Sequence, residues 1–438
     1  MTDRIQKEKN IVLFVSVPPK SVFASLREFS KKTNRNLEFA VIYQKTNTPP
    51  SDKQKLVLAE FDHVFAVNLE IENNISEALA PIRDRLLVVS CRAEAYIPHF
   101  QKVIPHVPYL RTPTVKSLEW ATNKIAMRRR FRLYDKKITP EFMIVQNAQK
   151  KTLNEISDKV GFPLVIKPTG VAQSLLVNIV YHKEELEKEL RKVFRKMNKI
   201  WKDSHGRGEP TILVEQFMDG DMYSVEAFVS SRGKVHCCPP VGVKTGRTIG
   251  FDDFFGYQQM TPTLLNKQSI DEAYAITEKA IHAVGLRSSS AHVELMKTEQ
   301  GWKVIELGPR LGGFRYDLYK LAFNIDITNL DIAVRIPEKI TTPKTPVGNA
   351  VAFKFFAHTE GYIKSIIGIK KAQELASFYS IVINKQVGDR VVFAKNGGKS
   401  VFNITLFNKD RSLLLADMRR LEQLIKIEVS KKQVKIAK

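Results

Sequence analysis

The residues with the most chemistry to offer lie in two short segments, Ala291-His292-Val293-Glu294-Leu295-Met296 and Val304-Ile305-Glu306-Leu307-Gly308-Pro309-Arg310. Both alternate as strands do, and Glu299-Gln300-Gly301 between them suits a hairpin turn. Antiparallel pairing sets Glu294 and Glu306 side by side on one face. Two facing carboxylates repel unless a cation sits between them, and magnesium is the natural occupant, with manganese as a substitute. A metal held there bridges nucleotide phosphates and neutralises charge during phosphoryl transfer. Arg310, four residues beyond Glu306, is within reach of a phosphate or acyl-phosphate oxygen. A surface hairpin with solvated glutamates has the same spacing, so the pair alone leaves both readings open. His292, on the same face as Glu294, reads equally as a group near the metal or as a hydrogen-bonded core histidine.

Three further segments bear on that choice. Gly161-Phe162-Pro163-Leu164-Val165-Ile166-Lys167-Pro168 ends an apolar strand on a lysine, which is costly to bury without an anionic partner. Ile212-Leu213-Val214-Glu215-Gln216-Phe217-Met218-Asp219-Gly220 is an apolar strand running into a short hinge. Backbone groups of such a hinge can pair with an adenine edge while Glu215 accepts from its amino group. The segment Val241 to Tyr257 combines glycines, cations, acids and aromatics, and is the best candidate for substrate recognition. There Lys244 and Arg247 can hold a substrate carboxylate, and Asp252 or Asp253 an amine. A mobile loop packing its aromatics on the core is the competing reading. Gly312-Gly313-Phe314-Arg315 permits close backbone approach to a ligand, or simply a tight turn.

Taken in order from Thr114 to Pro337, these features resemble the ATP-grasp superfamily, and within it the ATP-dependent carboxylate–amine (amino-acid) ligases. The series is a helix lysine (Lys124), a strand lysine (Lys167), a glutamate with its hinge (Glu215 to Met218), then paired glutamates followed by an arginine. The resemblance implies that Lys124 and Lys167 contact nucleotide phosphates. It implies that Glu215 and the Gln216, Phe217 and Met218 backbone hold adenine, that Glu294 and Glu306 bind magnesium, and that Arg310 steadies the transferring phosphate or the acyl phosphate. Three departures stand out. Gly308 occupies the position of the family's second-strand asparagine, the phosphate-covering loop Thr169 to Leu175 has a single glycine, and Met222 stands where many members carry an acid.

The elements that must position these residues follow from periodicity. Ile11–Val17, Glu38–Tyr43, His63–Val67 and Leu86–Ser90 read as buried strands, with helices at Val22–Lys32, Ile75–Arg83 and Ala93–Ile104. This order predicts a small parallel sheet covered by helices. The turn after the first strand has no G-x-G-x-x-G, so a dinucleotide site there is unsupported. Thr114 to Tyr134 reads as one helix. Glu184 to Lys202 is amphipathic, with Leu186, Leu190, Val193, Phe194, Met197 and Trp201 on one face. Strands are expected at Phe142–Val145, Leu164–Lys167, Leu175–Tyr181, Ile212–Glu215, Tyr223–Ser230 and Lys234–Pro239, and a helix at Ser269–Val284.

This order makes the fold class α/β, and the resemblance implies an ATP-grasp fold with an N-terminal Rossmann-like pre-ATP-grasp domain (1–112) and a small C-terminal α/β domain (346–438). The ATP-grasp part would span 113–337 in subdomains of about 113–210 and 211–337, with a proline- and threonine-rich linker before the last domain.

Composition excludes several classes. Hydrophobic residues make up 43% and charged residues 26%, as in a soluble globular chain. No apolar run is long enough for a membrane span, which points to a cytoplasmic protein without membrane partners. Cys91, Cys237 and Cys238 form no C-x-x-C pair, so a disulfide framework or structural zinc site is not expected. There is no Walker A sequence and no G-x-S-x-G elbow. The net charge of +23 attracts polyanions, but the lysines are scattered among glutamates, so nucleic acid is a possible partner that is not favoured. The cluster Arg128-Arg129-Arg130 with Arg132 reads as a solvated helix face or as a polyanion site.

The resemblance implies an ATP-dependent ligase acting on small carboxylate and amine substrates through an acyl phosphate, with ATP and Mg2+ as cofactors and a homodimer as a possible assembly. Two alternatives remain: carboxylation or carbamoyl-phosphate-type chemistry, and nucleotide binding without ligase activity on behalf of an anionic partner.

Overall fold

The computed structural model describes residues 8–168, 177–203, 211–251, 253–394 and 398–433, with 198–203 as helical backbone only. The expected phosphate-covering loop, Asp252, Asn396-Gly397 and the side chain of Trp201 lie outside the described residues.

Four parallel strands open the chain: β1 (Ile11–Val15), β2 (Glu38–Gln44), β3 (His63–Val67) and β4 (Leu86–Ser90), in the order β3-β2-β1-β4. β1 is apolar throughout because both its faces are covered. Ile11, Leu13 and Val15 join a core with Phe100 and Val103, whereas Val12 and Phe14 join one with Val22, Phe23 and Leu26. The helices fall close to the expected ones, at Ser21–Thr33, Glu72–Leu79 and Ile97–Val103. Thr114 to Tyr134 differs from expectation, forming two helices, Val115–Thr122 and Lys124–Tyr134. The break has a local cause. Asn123 is extended and its side chain accepts from the N–H groups of Ile125 and Ala126, both at 3.0 Å, capping a new helix.

An antiparallel sheet follows, built from β5 (Phe142–Val145), β6 (Leu164–Pro168), β7 (Asn178–Val180) and β8 (Ile212–Gln216), in the order β5-β8-β6-β7. The helix Lys183–Asp203 covers it, burying Leu186, Leu190, Val193 and Met197 with Ile156 of the preceding helix. The amphipathic stripe is core, as its spacing predicts.

The largest sheet is assembled from β9 (Asp221–Val229), β10 (Val235–Cys237), β11 (Val241–Thr245), β12 (Gly256–Thr261), β13 (Ser289–Thr298) and β14 (Gly301–Gly308), continued by strands from the end of the chain. Those later strands are β15 (Asn349–Phe355), β16 (Gly361–Ile367), β17 (Phe378–Ile383), β18 (Arg390–Val391), β19 (Phe402–Asn408) and β20 (Lys426–Ser430). Among the described residues the order is β14-β13-β9-β11-β12-β15-β19-β17, with β10 on β9, while β18-β16-β20 form a small separate sheet. The sheet thus runs without interruption from the glutamate hairpin into the C-terminal strands through the β12–β15 pair. The helices Arg315–Phe323 and Ile327–Ala333 pack between this sheet and the N-terminal one, sharing the core of Val12 and Phe14.

The segment Val241 to Tyr257, where no strand was expected and a mobile loop was one of two readings, contains β11 and the start of β12. Val243 pairs with Gln259 and Lys244 with Gln258. Its glycines hid the alternation, and burial of Val241 and Val243 at the sheet centre decides the strand. Among the described residues no helix is long and apolar enough to cross a membrane, and the cysteines are free and buried.

Candidate functional site

The hairpin forms as expected. β13 and β14 pair antiparallel around Gly301, whose φ of +98° suits the turn, and a bulge between Glu294 and Leu295 brings Glu294 directly opposite Glu306. Each carboxylate has a nitrogen partner. Lys124 Nζ lies 3.2 Å from Glu306 Oε2, and His292 Nε2 lies 3.2 Å from Glu294 Oε1. The other nitrogen of His292 meets buried Glu226, which also accepts from Gly312 N–H at 2.9 Å. Burial works against charge on Glu294, but His292, then Arg310 and Arg315, more than offset it and hold its pKa at about 2. The same balance raises His292 itself. Burial opposes the imidazolium, and Glu226 outweighs it. His292 is therefore both of the things its position suggested, a buried hydrogen-bonded histidine and a direct partner of a candidate metal ligand.

Across the cleft, β8 and β6 bring Glu215 and Lys167 together. Lys167 Nζ lies 2.6 Å from Glu215 Oε2. Arg128, from the Lys124 helix, grips the same carboxylate through Nε and, at 3.2 Å, through Nη2. Its guanidinium also donates to the carbonyls of Val304 at 2.8 Å and Ile305 at 2.7 Å. Arg128 and Glu215 are 2% and 1% exposed. One buried arginine thus ties the hinge strand to the glutamate hairpin. Burial alone would raise Glu215, but Arg128 and Lys167 hold it at about 2. Lys167 moves down from its ordinary value, first through burial and then, against the pull of Glu215, through the repulsion of Arg128 and Lys124. For Lys124 burial also opposes charge, but Glu306, Glu215 and Glu294 prevail and its pKa is raised.

These groups line one cleft of about 300 Å³. Lys124, Arg128, Lys167, Glu215, Glu294 and Glu306 form its charged end. Val165, Leu213, Met222, Met296 and Ile305 form an apolar slot, and Gln216 to Gly220 border it. At the hinge, Gln216 N–H donates to Glu141 O and Phe217 N–H to Pro163 O, while Met218 N–H has no partner among the described residues. An apolar slot edged by an unpaired donor suits a planar base. The carboxylate of Glu215, by contrast, is already held by two cations and faces the charged end.

Arg310 lies beside the hairpin, its Nη2 2.7 Å from Glu94 Oε2. Arg247 lines the cleft near the hinge, over the rings of Phe217 and Phe254, with Nη2 3.0 Å from Tyr181 Oη. It therefore lines the same cleft as the charged groups. Lys244 is not brought to the cleft. It is exposed on β11, where strand alternation turns it to the face opposite Val243 and the glutamates. Asp253 is turned inward, accepting from Phe255 N–H at 2.9 Å and Tyr257 Oη at 3.0 Å, and so holds its own turn together.

Sequence reasoning passed over Glu94, Glu226 and Arg128. The first two had no local signal. Arg128 did, since it lies four residues after Lys124 and so on the same helix face. The arginine cluster around it is neither a polyanion patch nor a plain solvated face. Arg128 is buried, Arg130 Nε donates to Ala283 O and lies over Trp120, and Arg132 pairs with Glu141.

The carboxylate pair meets the test for a divalent cation. Its donors are hard oxygens on one face, and each carboxylate has an oxygen within 3.2 Å of a nitrogen, of Lys124 or of His292. No group of three or more potential ligands occurs among the described residues.

Residues 160–317, which hold most of these groups, match the family description "ATP-grasp domain". The chain carries an ATP-grasp domain. Around it, similarity extends to a protein named alanine–anticapsin ligase of Bacillus amyloliquefaciens, 25% identical over 62% of this chain and 60% of that one. It extends also to protein y4rH of Sinorhizobium fredii, 27% identical over 55% and 48%. The chain thus spans about half to three-fifths of the length of the curated relatives it matches. The ATP-grasp fold itself extends further. An L-amino acid ligase structure from Bacillus licheniformis superimposes with a TM-score of 0.73, covering 97% of this chain and 100% of that one at 18% identity. The α/β architecture of the domain and its flanking parts is therefore the ATP-grasp fold.

Proposed function

We propose that the chain is an ATP-dependent carboxylate–amine ligase that works through an acyl phosphate and releases ADP and phosphate. The observation that carries this reading is the in-register pair Glu294 and Glu306, facing Lys124 and Lys167 across one cleft with Arg310 beside it. Its relatives in sequence and fold include amino-acid ligases by name.

The apolar slot would take adenine, and Met218 N–H would pair with its edge. Lys167 and Lys124 would turn from Glu215 and Glu306 to the phosphates. Glu294 and Glu306 would hold Mg2+, or Mn2+, which when bound neutralises phosphate charge. An oxygen of the substrate carboxylate attacks the γ-phosphorus, forming the new P–O bond as the bond to the β-phosphate oxygen breaks and ADP leaves. Arg310 would balance the acyl phosphate. The amine then attacks the carbonyl carbon, the C–O bond to phosphate breaks, and the nitrogen loses a proton to give the amide. Arg247, stacked at the hinge, would border the nucleotide, and Lys244 has no part in the chemistry. The N-terminal part contributes through Glu94, and a homodimer is compatible with the reading but is not required by it.

The test is ADP and phosphate release with MgATP across pooled amino acids, dipeptides and small acids. Stimulation by a subset of the pool, lost in Glu306→Gln, is the expected result. Clear MgATP binding with no stimulation by any pool would defeat the ligase reading in favour of nucleotide binding alone.

A further inference from the structure

Lys354 lies on β15, beyond the matched domain, yet strand register carries it to the face of the glutamate pair. Glu306 faces Glu294, Glu294 faces Ser224, and Ser224 faces Val241. Two residues along β11, Val243 faces Gln259, which faces Ala352, two residues before Lys354. Opposed residues and residues two apart share a face. One side of the sheet therefore presents Glu306, Glu294, Ser224, Gln259 and Lys354 in sequence across the strands.

Between the glutamates and Lys354 stands buried Arg315, held through both terminal nitrogens while its Nε makes no hydrogen bond. It donates to Ser224 Oγ at 2.7 Å and to Gln259 Oε1, and lies 3.5 Å from Glu226. Lys354 is not satisfied. Among the described residues half-buried Lys354 makes no hydrogen bond or ion pair through its ammonium, which lies over the ring of Phe314, 5.2 Å from the centroid. Such a contact replaces only part of the hydration that the ammonium gives up. Burial, with repulsion from Arg315 and partial relief from Glu294, accordingly brings its pKa down to about 8. Gly313, next to Phe314, has no atom within 4 Å of an added Cβ, so the turn beside that ring is open. Arg315 adds a second positive charge close enough to act on the ammonium. An unpaired cation with another beside it, on the face of the glutamate pair, describes half of an anion site.

We propose that Lys354 recognises an anionic group of the substrate, a carboxylate or phosphate distinct from the carboxyl group that is activated. Assigning this anion to a substrate rests on the ligase reading. The binding itself does not.

Full-length protein is titrated by calorimetry with succinate and, separately, inorganic phosphate, alongside Lys354→Met and Lys354→Arg. The expected result is binding of one probe that weakens at least about tenfold in Lys354→Met, the scale of one charged hydrogen bond, and is retained in Lys354→Arg. Which probe binds identifies the anion as carboxylate or phosphate. Equal binding by Lys354→Met, or no binding of either probe to the wild type, would overturn the proposal. If Lys354→Met does not fold, the side-chain NMR signal of Lys354 in the wild type decides. A shift on adding the probe supports the site, and none removes it. Lys354-dependent binding without ADP release from any pool would leave the site standing and sink the ligase reading. ADP release without anion binding at Lys354 would do the reverse.

Discussion

Glu215 and Glu294 sit on different sheets, yet both are held ionised against burial, each by neighbouring cations. An acid whose folded pKa is lowered adds stability above its unfolded value, and that stability is lost as pH falls through the folded value. Both groups drop from 4.5 to about 2. The unfolding midpoint in denaturant should therefore decline over that window, and Glu294→Gln should flatten the decline. A wild-type midpoint constant over that range would contradict the assignment. Arg128 makes a sharper case. Removing one partner of a buried ion pair costs about 3–5 kcal/mol, because the other charge is left behind. Arg128→Ala should lose about that much by urea unfolding, whereas Arg129→Ala should cost far less. At the glutamate pair, Glu306→Gln should lower substrate-stimulated ADP release by roughly 100-fold or more, given that even changes behind a metal's ligands cost 10–100-fold.

Two short elements set the precision of this constellation. Asn123 starts the helix that carries Lys124 and Arg128, with both of its cap bonds at 3.0 Å. Asn123→Ala should cost about 1 kcal/mol and loosen the first turn. Because Lys124 sits in that turn, the KM for ATP should rise more than kcat falls, and an unchanged KM would separate the cap from the site. Gly312 is the second element. A Cβ there would lie 2.6 Å from His292 Nδ1 and 2.7 Å from Glu226 Oε1. Gly312→Ala should therefore displace the His292–Glu226 pair, costing about 1–3 kcal/mol, whereas Gly313→Ala meets nothing within 4 Å and should be silent in thermal melts.

On the scale of the molecule, the large sheet joins parts that a linker at Pro337 to Pro346 was expected to separate. β12 pairs with β15 over four residues, and β15 with β19 over seven. A chain ending before residue 346 would leave the β12 edge unpaired, and an exposed edge invites aggregation. Such a truncation should be poorly soluble, and calorimetry of the full chain should show the C-terminal strands melting with the glutamate hairpin. A soluble, folded fragment would mean that this pairing contributes little. The N-terminal part is tied in differently, through the Glu94–Arg310 ion pair and the helices that share its core.

The sequence alone determined the features that depend on nearby residues. Alternation placed β13 and β14 and the glycine-bearing turn joined them, but a bulge between Glu294 and Leu295, which no local signal marked, brings Glu294 against Glu306. Apolar runs marked the four parallel strands, and 3.6-residue periodicity marked the helix over β6 and β8. Their signals are local because strand and helix periods are local. What the sequence left undecided was every partner far along the chain. Lys167 and Glu215 are 48 residues apart, Arg128 and Glu215 are 87 apart, and Arg310 and Glu94 are 216 apart. Nothing in the spacing of two charged residues tells whether the fold will bring them together. Lys244 and Arg247 show the same limit from the other side. Only the register of β11 decided that one would point away from the cleft and the other would border it. Charge and residue type supplied the candidates, and the pairing of distant strands selected among them, because burial, not composition, decides which charges must find each other.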